Sequence, residues 1–232
     1  LVYEESPTGV WQRSLDPIVF TDASSGFGSF IGVDGDLACI CDHDSVSIFH
    51  RLHSDFHLPQ DKWSHLKMIG INEPNGCSVA GDHIVSQSEG GDLLLYRYQQ
   101  QYPFSVVPLQ EPIPAGSISA ALSMDYLVYS NDTSTTVYHQ EGINQAFVTS
   151  QRLNNSIPTG KKQTSMDNDI LVIGGSNSTS ILTEHNGYWN ESIVLDHSFD
   201  DHQLTGRNLI ATDGNEVYYI DLKDCVQSTP TQ

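Results

Sequence analysis

The side chains best suited to chemistry in this chain fall into two groups of histidines and carboxylates. His50, His53 and His57 lie close together in the segment RLHSDFHLP. Imidazole nitrogens are common metal ligands, but these spacings, in a segment predicted to be a loop, suit neither a helix face nor a strand ladder. We interpret the group as a solvated loop, with a metal site as the alternative.

The second group lies in LDHSFDDHQ and consists of Asp196, His197, Asp200, Asp201 and His202. Its carboxylates could hold a cation. The group also falls between two predicted repeats. We interpret it as an acidic linker and predict no metal ion and no cofactor.

The sequence offers no recognisable catalytic constellation. A glycosidase needs two opposed carboxylates, yet the predicted inner strands FGSFIGV, NGCSVAG, SISAALS, KKQTSMD and HQLTG hold almost none before their turns. A G-x-S-x-G elbow, a phosphate-binding glycine loop and an H-E-x-x-H helix are also missing. We therefore predict no catalytic residues and no enzymatic activity.

Four N-glycosylation patterns point to a secretory route. They begin at Asn131, Asn154, Asn177 and Asn190, in positions predicted to face solvent. The expected location is extracellular, either secreted or at a cell surface. The chain shows no signal-peptide pattern and begins at Leu1, so we expect a processed or partial chain.

The cysteines fit a secreted protein as well. Cys39, Cys41, Cys77 and Cys225 match no zinc spacing. Two disulfides in any of three connectivities are compatible with this even count, and so are buried free thiols in a β-rich core.

Charge excludes several classes of partner. The formal net charge is −19, from 10 Lys and Arg against 29 Asp and Glu. Such a chain is poorly suited to neutralise the phosphates of nucleic acids or anionic membranes. Either solubility or attraction to cations, basic partners or neutral glycans accounts for the charge. No apolar run is long enough to cross a bilayer.

The elements that must position these residues follow from a five-fold repeat of roughly 40–45 residues. Each repeat has a tight turn followed by an apolar run: VDGDLACI (33–40), VAGDHIVS (79–86), LSMDYLVY (122–129), MDNDILVI (166–173) and LTGRNLIA (204–211). Gly-Asp and Asn-Asp pairs supply the positive φ angles that such turns need. Strand repeats of this length predict a β-propeller with four strands in each of five blades.

Aromatic residues open the predicted outer strands. They are Trp11, Trp63, Phe104, Phe147 and Trp189. We expect them to pack between blades. The segment Val10–Leu15 matches the outer strands that start near Trp63 and Trp189, so it is predicted to complete the last blade and close the ring.

The first repeat resembles the FG-GAP type of integrin α-subunits and of many secreted propellers. The resemblance is carried by Phe27-Gly28-Ser29, Val33-Asp34-Gly35-Asp36, SIFHR and KWSHL, with Asn75-Gly76 and Ala115-Gly116 as weaker echoes. It implies an integrin-like propeller fold. The family's calcium loop has no counterpart here, because the turns are too short for six oxygen ligands.

Together these features predict one all-β propeller domain over residues 1–226, followed by a Ser/Thr/Pro tail at 227–232. The predicted function is a non-catalytic extracellular structural or interaction module, a subunit of a cell-surface or filamentous glycoprotein assembly. Its predicted partners are proteins, including identical copies in a polymer, and glycans. A lectin that binds sugars between blades is the alternative.

Overall fold

The computed structural model describes residues 3–5, 10–13, 27–28, 30–52, 62–71, 73–88, 93–98, 105–106, 119–131, 134–141, 146–154 and 163–223. These residues form strands and turns and no helix. None of them belongs to a helix that is long and apolar enough to cross a membrane. The predicted all-β fold is confirmed: five antiparallel sheets of three or four strands follow one another as the blades of a propeller.

The strands are numbered in chain order. A short pair, β1 (Tyr3–Glu5) and β2 (Trp11–Arg13), precedes the blades. Blade 1 consists of β3 (Ile31–Asp34), β4 (Leu37–Cys41), β5 (Ser45–Leu52) and β6 (Lys62–Gly70), and blade 2 of β7 (Pro74–Ala80), β8 (His83–Ser88), β9 (Leu93–Arg97) and β10 (Ser105–Val106). Blade 3 consists of β11 (Ser119–Leu122), β12 (Tyr126–Ser130), β13 (Ser134–Glu141) and β14 (Ala146–Asn154). Blade 4 consists of β15 (Gln163–Asp167), β16 (Ile170–Gly174), β17 (Thr179–His185) and β18 (Tyr188–Leu195), and blade 5 of β19 (Asp201–Thr205), β20 (Asn208–Asp213) and β21 (Glu216–Asp221).

The predicted turns join the first and second strands of each blade. Gly35, Gly81, Gly206 and Asn168 have φ angles of 53°, 55°, 58° and 48°, in the left-handed region that glycine and asparagine tolerate. The turn carbonyl then accepts a hydrogen bond from the end of the third strand in every repeat. The donor and acceptor pairs are Arg51 N to Asp36 O, Tyr98 N to Asp82 O, Gln140 N to Asp125 O, Glu184 N to Asp169 O and Leu222 N to Arg207 O.

Apolar cores lie between successive blades. The second strands of blades 1 and 4, Leu37–Cys41 and Ile170–Gly174, are apolar on both faces, and every residue of these two strands is buried. Ile84 and Ile48 pack between blades 1 and 2, for example, and Leu209 and Val172 between blades 4 and 5. Propeller blades are stabilised by such face-to-face packing of neighbouring sheets.

The predicted closure of the last blade by the N-terminal strand is wrong for the described residues. β2 pairs with β1, through Tyr3–Arg13 and Glu5–Trp11, while blade 5 is a three-stranded sheet. A partner a few residues away along the chain costs less loop-closure entropy than one at the far end of the repeats. The predicted tail at 227–232 lies outside the described residues.

Candidate protein-interaction surface

The turns between first and second strands gather at one end of the propeller. We call this end the turn rim, and it consists of Gly35-Asp36, Gly81-Asp82, Met124-Asp125, Asn168-Asp169 and Gly206-Arg207. Contacts between blades place these turns side by side. The backbone N of Gly81 donates to Asp34 Oδ2 at 2.6 Å, and that of Gly206 donates to Asp167 Oδ2. A carboxylate of one blade therefore fixes the turn of the next.

At blade 2 the rim carboxylate is already paired. Asp82 Oδ2 accepts from Arg97 Nε at 2.6 Å, and Asp82 Oδ1 lies 2.9 Å from His83 Nδ1. Burial lowers the pKa of His83, an effect that the nearby Asp82 opposes and Arg97 reinforces. This part of the rim consequently offers little charge to a ligand.

A depression of about 250 Å³ lies on the rim between blades 3 and 4. It is lined by Ser123, Met124, Asp125, Tyr126, Asn168, Asp169 and Glu184. Three of these side chains are carboxylates. Arg207 of blade 5 reaches one of them, with Nη2 lying 3.4 Å from Asp169 Oδ2.

Aromatic packing positions Tyr126, one of the residues that line the depression. The ring of Tyr126 meets that of Trp189 edge to face at a centroid distance of 5.3 Å, and Trp189 is 1% exposed. Burial raises the pKa of Tyr126, with smaller contributions from the carboxylates of Glu184 and Asp125. Met124 also lines the depression; its apolar side chain is 64% exposed and extends toward Gly81 of blade 2.

This arrangement suits a cationic side chain flanked by an apolar one. Carboxylates form charge-assisted hydrogen bonds to lysine or arginine, and methionine adapts to irregular apolar partners. Among the described residues no group of three or more His, Cys, Asp or Glu is arranged to hold a metal ion.

The histidines and carboxylates singled out in the sequence do not share a site. His197 Nε2 lies 3.1 Å from Asp213 Oδ2, and Asp200 Oδ2 accepts from Gly214 N at 2.8 Å. His202 points instead toward blade 4, with Nδ1 lying 2.9 Å from Ser165 Oγ. Asp196 is exposed, and Asp201 accepts from Gln163 Nε2.

In the other histidine group, the ring of His50 lies against Tyr98 at a centroid distance of 5.4 Å. His53 and His57 lie outside the described residues.

The predicted packing role of the outer-strand aromatics is confirmed where the side chains are described. Phe147 of blade 3 is buried in the core with Val85 and Leu95 of blade 2. Trp189 of blade 4 is buried with Val128 and Val137 of blade 3. Trp63 packs partly buried on blade 1. Phe147 and Trp189 are too deeply buried to stack on a sugar between blades. Phe104 and the side chain of Trp11 lie outside the described residues.

The glycosylation candidates differ in accessibility. Asn177 and Asn190 are exposed. The Asn131 side chain is half-buried, and its Oδ1 accepts from the Ser134 backbone at 2.8 Å. The side chain of Asn154 is not among those described.

Three of the disulfide candidates form a cluster between blades 1 and 2. Cys39 and Cys41 are fully buried on β4, and Cys77 lies on the facing strand β7. A hydrogen bond with Cys77 and then burial raise the pKa of the Cys41 thiol. A hydrogen bond with Cys39 likewise raises the pKa of Cys77. All three thiols are free in the structure, and Cys225 lies outside the described residues.

Sequence reasoning missed the acidic depression. It treated Asp125 and Asp169 as turn formers, which they are, but it did not bring Glu184 beside them. The signal was present, because Glu184 occupies the third-strand position that bonds the turn carbonyl in each repeat. The hydrogen bond from Glu184 N to Asp169 O places Glu184 next to the turn, and its carboxylate therefore reaches the rim.

Comparison with known proteins shows the fold. No protein-family model matches the chain, and no curated protein resembles it in sequence. Among solved structures it is similar to the computationally designed Ika8 protein, with a TM-score of 0.59 and 10% identity over 87% of this chain and 60% of that one. Sqt1 of Saccharomyces cerevisiae gives a TM-score of 0.59 at 11% identity, covering 88% of this chain and 62% of Sqt1. U3-55K gives a TM-score of 0.54 at 10% identity, covering 81% of this chain and 61% of U3-55K. The chain thus spans about three fifths of the length of these proteins.

Proposed function

We propose that the chain is a non-catalytic interaction module whose turn rim binds a basic segment of a protein partner. The observation that carries this proposal is the depression between blades 3 and 4, where three carboxylates stand beside the exposed Met124. An interface needs an anchor of this mixed kind, in which an apolar contact and charge pairs act together. The net charge of −19 would steer a basic partner toward the chain.

The compartment is part of the same proposal. We propose a secreted or cell-surface glycoprotein related to FG-GAP-type propellers, working as a structural subunit of an extracellular assembly. The exposed sequons at Asn177 and Asn190 and the resemblance of the first repeat support this. The disulfide prediction belongs here too, since Cys77 lies beside both Cys39 and Cys41 and an oxidising compartment would allow a bond to either.

The rim is tested with a fluorescent peptide rich in lysine and leucine, titrated with the whole chain and followed by anisotropy. Asp125→Asn should weaken binding by up to about fivefold, because one exposed charge pair contributes at most roughly 1 kcal/mol. Asp44→Asn is the matched control, since it makes the same charge change on an exposed residue outside the rim. Raising the salt concentration should weaken binding of the wild type.

Two results would contradict the proposal. One is an equal loss of binding in Asp44→Asn and Asp125→Asn, because the net charge of the chain, and not the rim, would then account for peptide binding. The other is hydrolysis of a glycoside by the purified chain that a single Asp or Glu substitution abolishes.

A further inference from the structure

Three cysteines meet where blade 1 packs on blade 2. Cys39 and Cys41 lie two residues apart on β4, so their side chains leave the same face of the strand, and both are fully buried. Cys77 lies on β7, the first strand of blade 2, and packs against the core that contains them. The cluster therefore holds two thiols from one blade and one from the next.

Two residues at the start of blade 1 hold Cys77 close to the other cysteines. The carbonyl oxygen of Phe30 accepts hydrogen bonds from Cys41 N at 2.9 Å and from Cys77 Sγ at 3.9 Å. Gly32 lies opposite Cys39 in the sheet, and a Cβ added to Gly32 would lie 2.9 Å from Cys39 Sγ and 3.0 Å from Cys77 O. The missing side chain of Gly32 therefore leaves the space in which β7 approaches Cys39.

The interface between blades 4 and 5 shows the same contact with other residues. Counted from the turns, Gly174 is equivalent to Cys41, and His202 to Cys77. A Cβ added to Gly174 would lie 2.9 Å from His202 Nε2. The positions equivalent to 39, 41 and 77 hold Val85, Gln87 and Ala120 between blades 2 and 3, Val128, Ser130 and Thr164 between blades 3 and 4, and Val172, Gly174 and His202 between blades 4 and 5. Of these four interfaces, the one between blades 1 and 2 is the one with sulfur at all three positions.

Cys77 is the member of the cluster that both other thiols can reach. Its thiol interacts with those of Cys39 and Cys41 through hydrogen bonds. Side chains two residues apart on a strand lie about 6–7 Å from each other, whereas the Cβ atoms of a disulfide lie roughly 4 Å apart. Cys39 and Cys41 are therefore too far apart to bond to each other, and each can bond to Cys77.

The exposure of the three thiols sets the order in which they react. Cys39 and Cys41 are fully buried, whereas Cys77 is partly exposed, so a reagent in solution meets the sulfur of Cys77 first. The raised pKa of Cys77 keeps its thiol protonated, and the first step should therefore be slow. A resolving thiol beside the reactive one lets a mixed disulfide proceed to an internal bond. Here the reactive thiol has two such neighbours.

We propose that Cys77 is a redox-reactive site with two alternative resolving thiols, Cys39 and Cys41. Small disulfides such as oxidised glutathione are the oxidants, and the product is a single bond between blades 1 and 2. This inference rests on the extracellular role proposed above and deepens it, because disulfides persist in oxidising compartments. Either bond closes a loop of nearly the same length, so loss of Cys39 or of Cys41 alone leaves the two blades linked.

The reaction takes place in two exchanges. The thiolate of Cys77 attacks one sulfur of oxidised glutathione, which forms a mixed disulfide and releases one glutathione thiolate. The thiolate of Cys39 or Cys41 then attacks the Cys77 sulfur, and the second glutathione leaves as a thiolate. The two electrons lost by the protein thiols reduce the glutathione disulfide, and the two protons that they give up are taken by the glutathione thiolates. One of the three protein thiols stays reduced.

The whole chain with Cys225→Ser tests this order, since the substitution prevents the fourth cysteine from pairing. The chain is oxidised with glutathione disulfide in native conditions, its remaining thiols are alkylated in mild acid, and tandem mass spectrometry locates the label. Each chain should contain one disulfide that includes Cys77, with the label on Cys39 in some chains and on Cys41 in others. Oxidation should raise Tm by about 5–15 °C relative to the reduced chain.

Variants of the same chain separate the steps. Cys39→Ser and Cys41→Ser should each still form a disulfide, because one resolving thiol remains. The double variant Cys39→Ser/Cys41→Ser should instead retain one glutathione as a mixed disulfide. Cys77→Ser is the matched control, with the same change within the cluster, and it should gain neither glutathione nor a disulfide. Each variant is compared with its own reduced form, and the parent chain alone is decisive if a variant does not fold.

Three results would overturn the proposal. The first is a parent chain whose three cysteines all remain reduced after oxidation of the folded protein. The second is a single bonded partner of Cys77 in every chain, and the third is glutathione or a disulfide in Cys77→Ser. None of these results affects peptide binding at the rim, so failure of this inference can be told apart from failure of the proposed function.

Discussion

His202 should make the stability of this protein depend on pH. It lies on β19, on the face of blade 5 that packs against blade 4, and is 4% exposed. Its Nδ1 is 2.9 Å from Ser165 Oγ, while Nε2 faces the backbone of Gly174. Burial lowers the pKa of His202 from 6.5 to about 4, although Asp201 opposes the shift.

The direction of this pH dependence follows from the protonation of His202 in the folded and unfolded chains. The unfolded chain, with a histidine pKa near 6.5, binds more protons than the folded chain between about pH 6.5 and pH 4. The stability associated with neutral His202 is therefore complete above pH 6.5 and is lost as the pH falls through this window. A difference of about 2.5 pKa units corresponds to roughly 3 kcal/mol at pH values below both pKa values.

The measurement must avoid the isoelectric point, which lies near 4.5. Between about pH 7.5 and about pH 5.5, linkage gives a loss of roughly 1.4 kcal/mol from this one residue. Urea denaturation gives the free energy of unfolding of the wild type and of His202→Gln at both pH values. The change with pH in the wild type minus the change in the variant is the contribution of His202. In a chain of this size the effect corresponds to about 3–6 °C in Tm.

A matched variant separates burial from hydrogen bonding. Ser165→Ala removes the partner of Nδ1 but leaves the imidazole buried. If burial is the cause of the lowered pKa, this variant keeps the pH dependence of the wild type. Equal pH dependence in the wild type and His202→Gln would refute the reasoning.

Three further predictions concern packing and modification. Gly174→Ala should destabilise the chain by about 1–3 kcal/mol, because the added Cβ would lie 2.9 Å from His202 Nε2. Urea denaturation measures this loss. If the destabilisations of Gly174→Ala and His202→Ala simply add in the double variant, the clash is not the cause. Trp189→Ala should cost about 3–5 kcal/mol in the same assay, whereas Tyr188→Ala on the exposed side should change stability by no more than about 0.5 kcal/mol. Native protein should carry N-glycans at Asn177 and Asn190, visible as mass loss on enzymatic deglycosylation; unmodified asparagines at both positions would contradict the secretory proposal.

The sequence was sufficient to predict the blades because the turn of each repeat contains residue types with narrow conformational preferences. Gly81 and Asn168 mark turns, and the apolar runs after them mark buried second strands. The packing of Trp189 was predictable for the same reason, since an aromatic residue recurs at the equivalent position of each repeat.

The position of the N-terminal strand could not be predicted in this way. The pairing of β2 with β1 was missed because a match to the outer-strand pattern says nothing of nearer partners. The acidic depression depends on register between strands and on contact between blades, neither of which residue spacing alone provides.

The cores of this propeller also have a consequence for how the chain acquires its structure. Each of the four cores between blades joins segments that are close neighbours along the sequence. Contacts of short sequence separation form early and at low entropic cost. During synthesis a blade emerging from the ribosome therefore finds its packing surface already in place on the blade made just before it. The blades therefore assemble in the order in which they are translated. The carboxylates of Asp34 and Asp167 are already in place when the turns at Gly81 and Gly206, which they bind, are made.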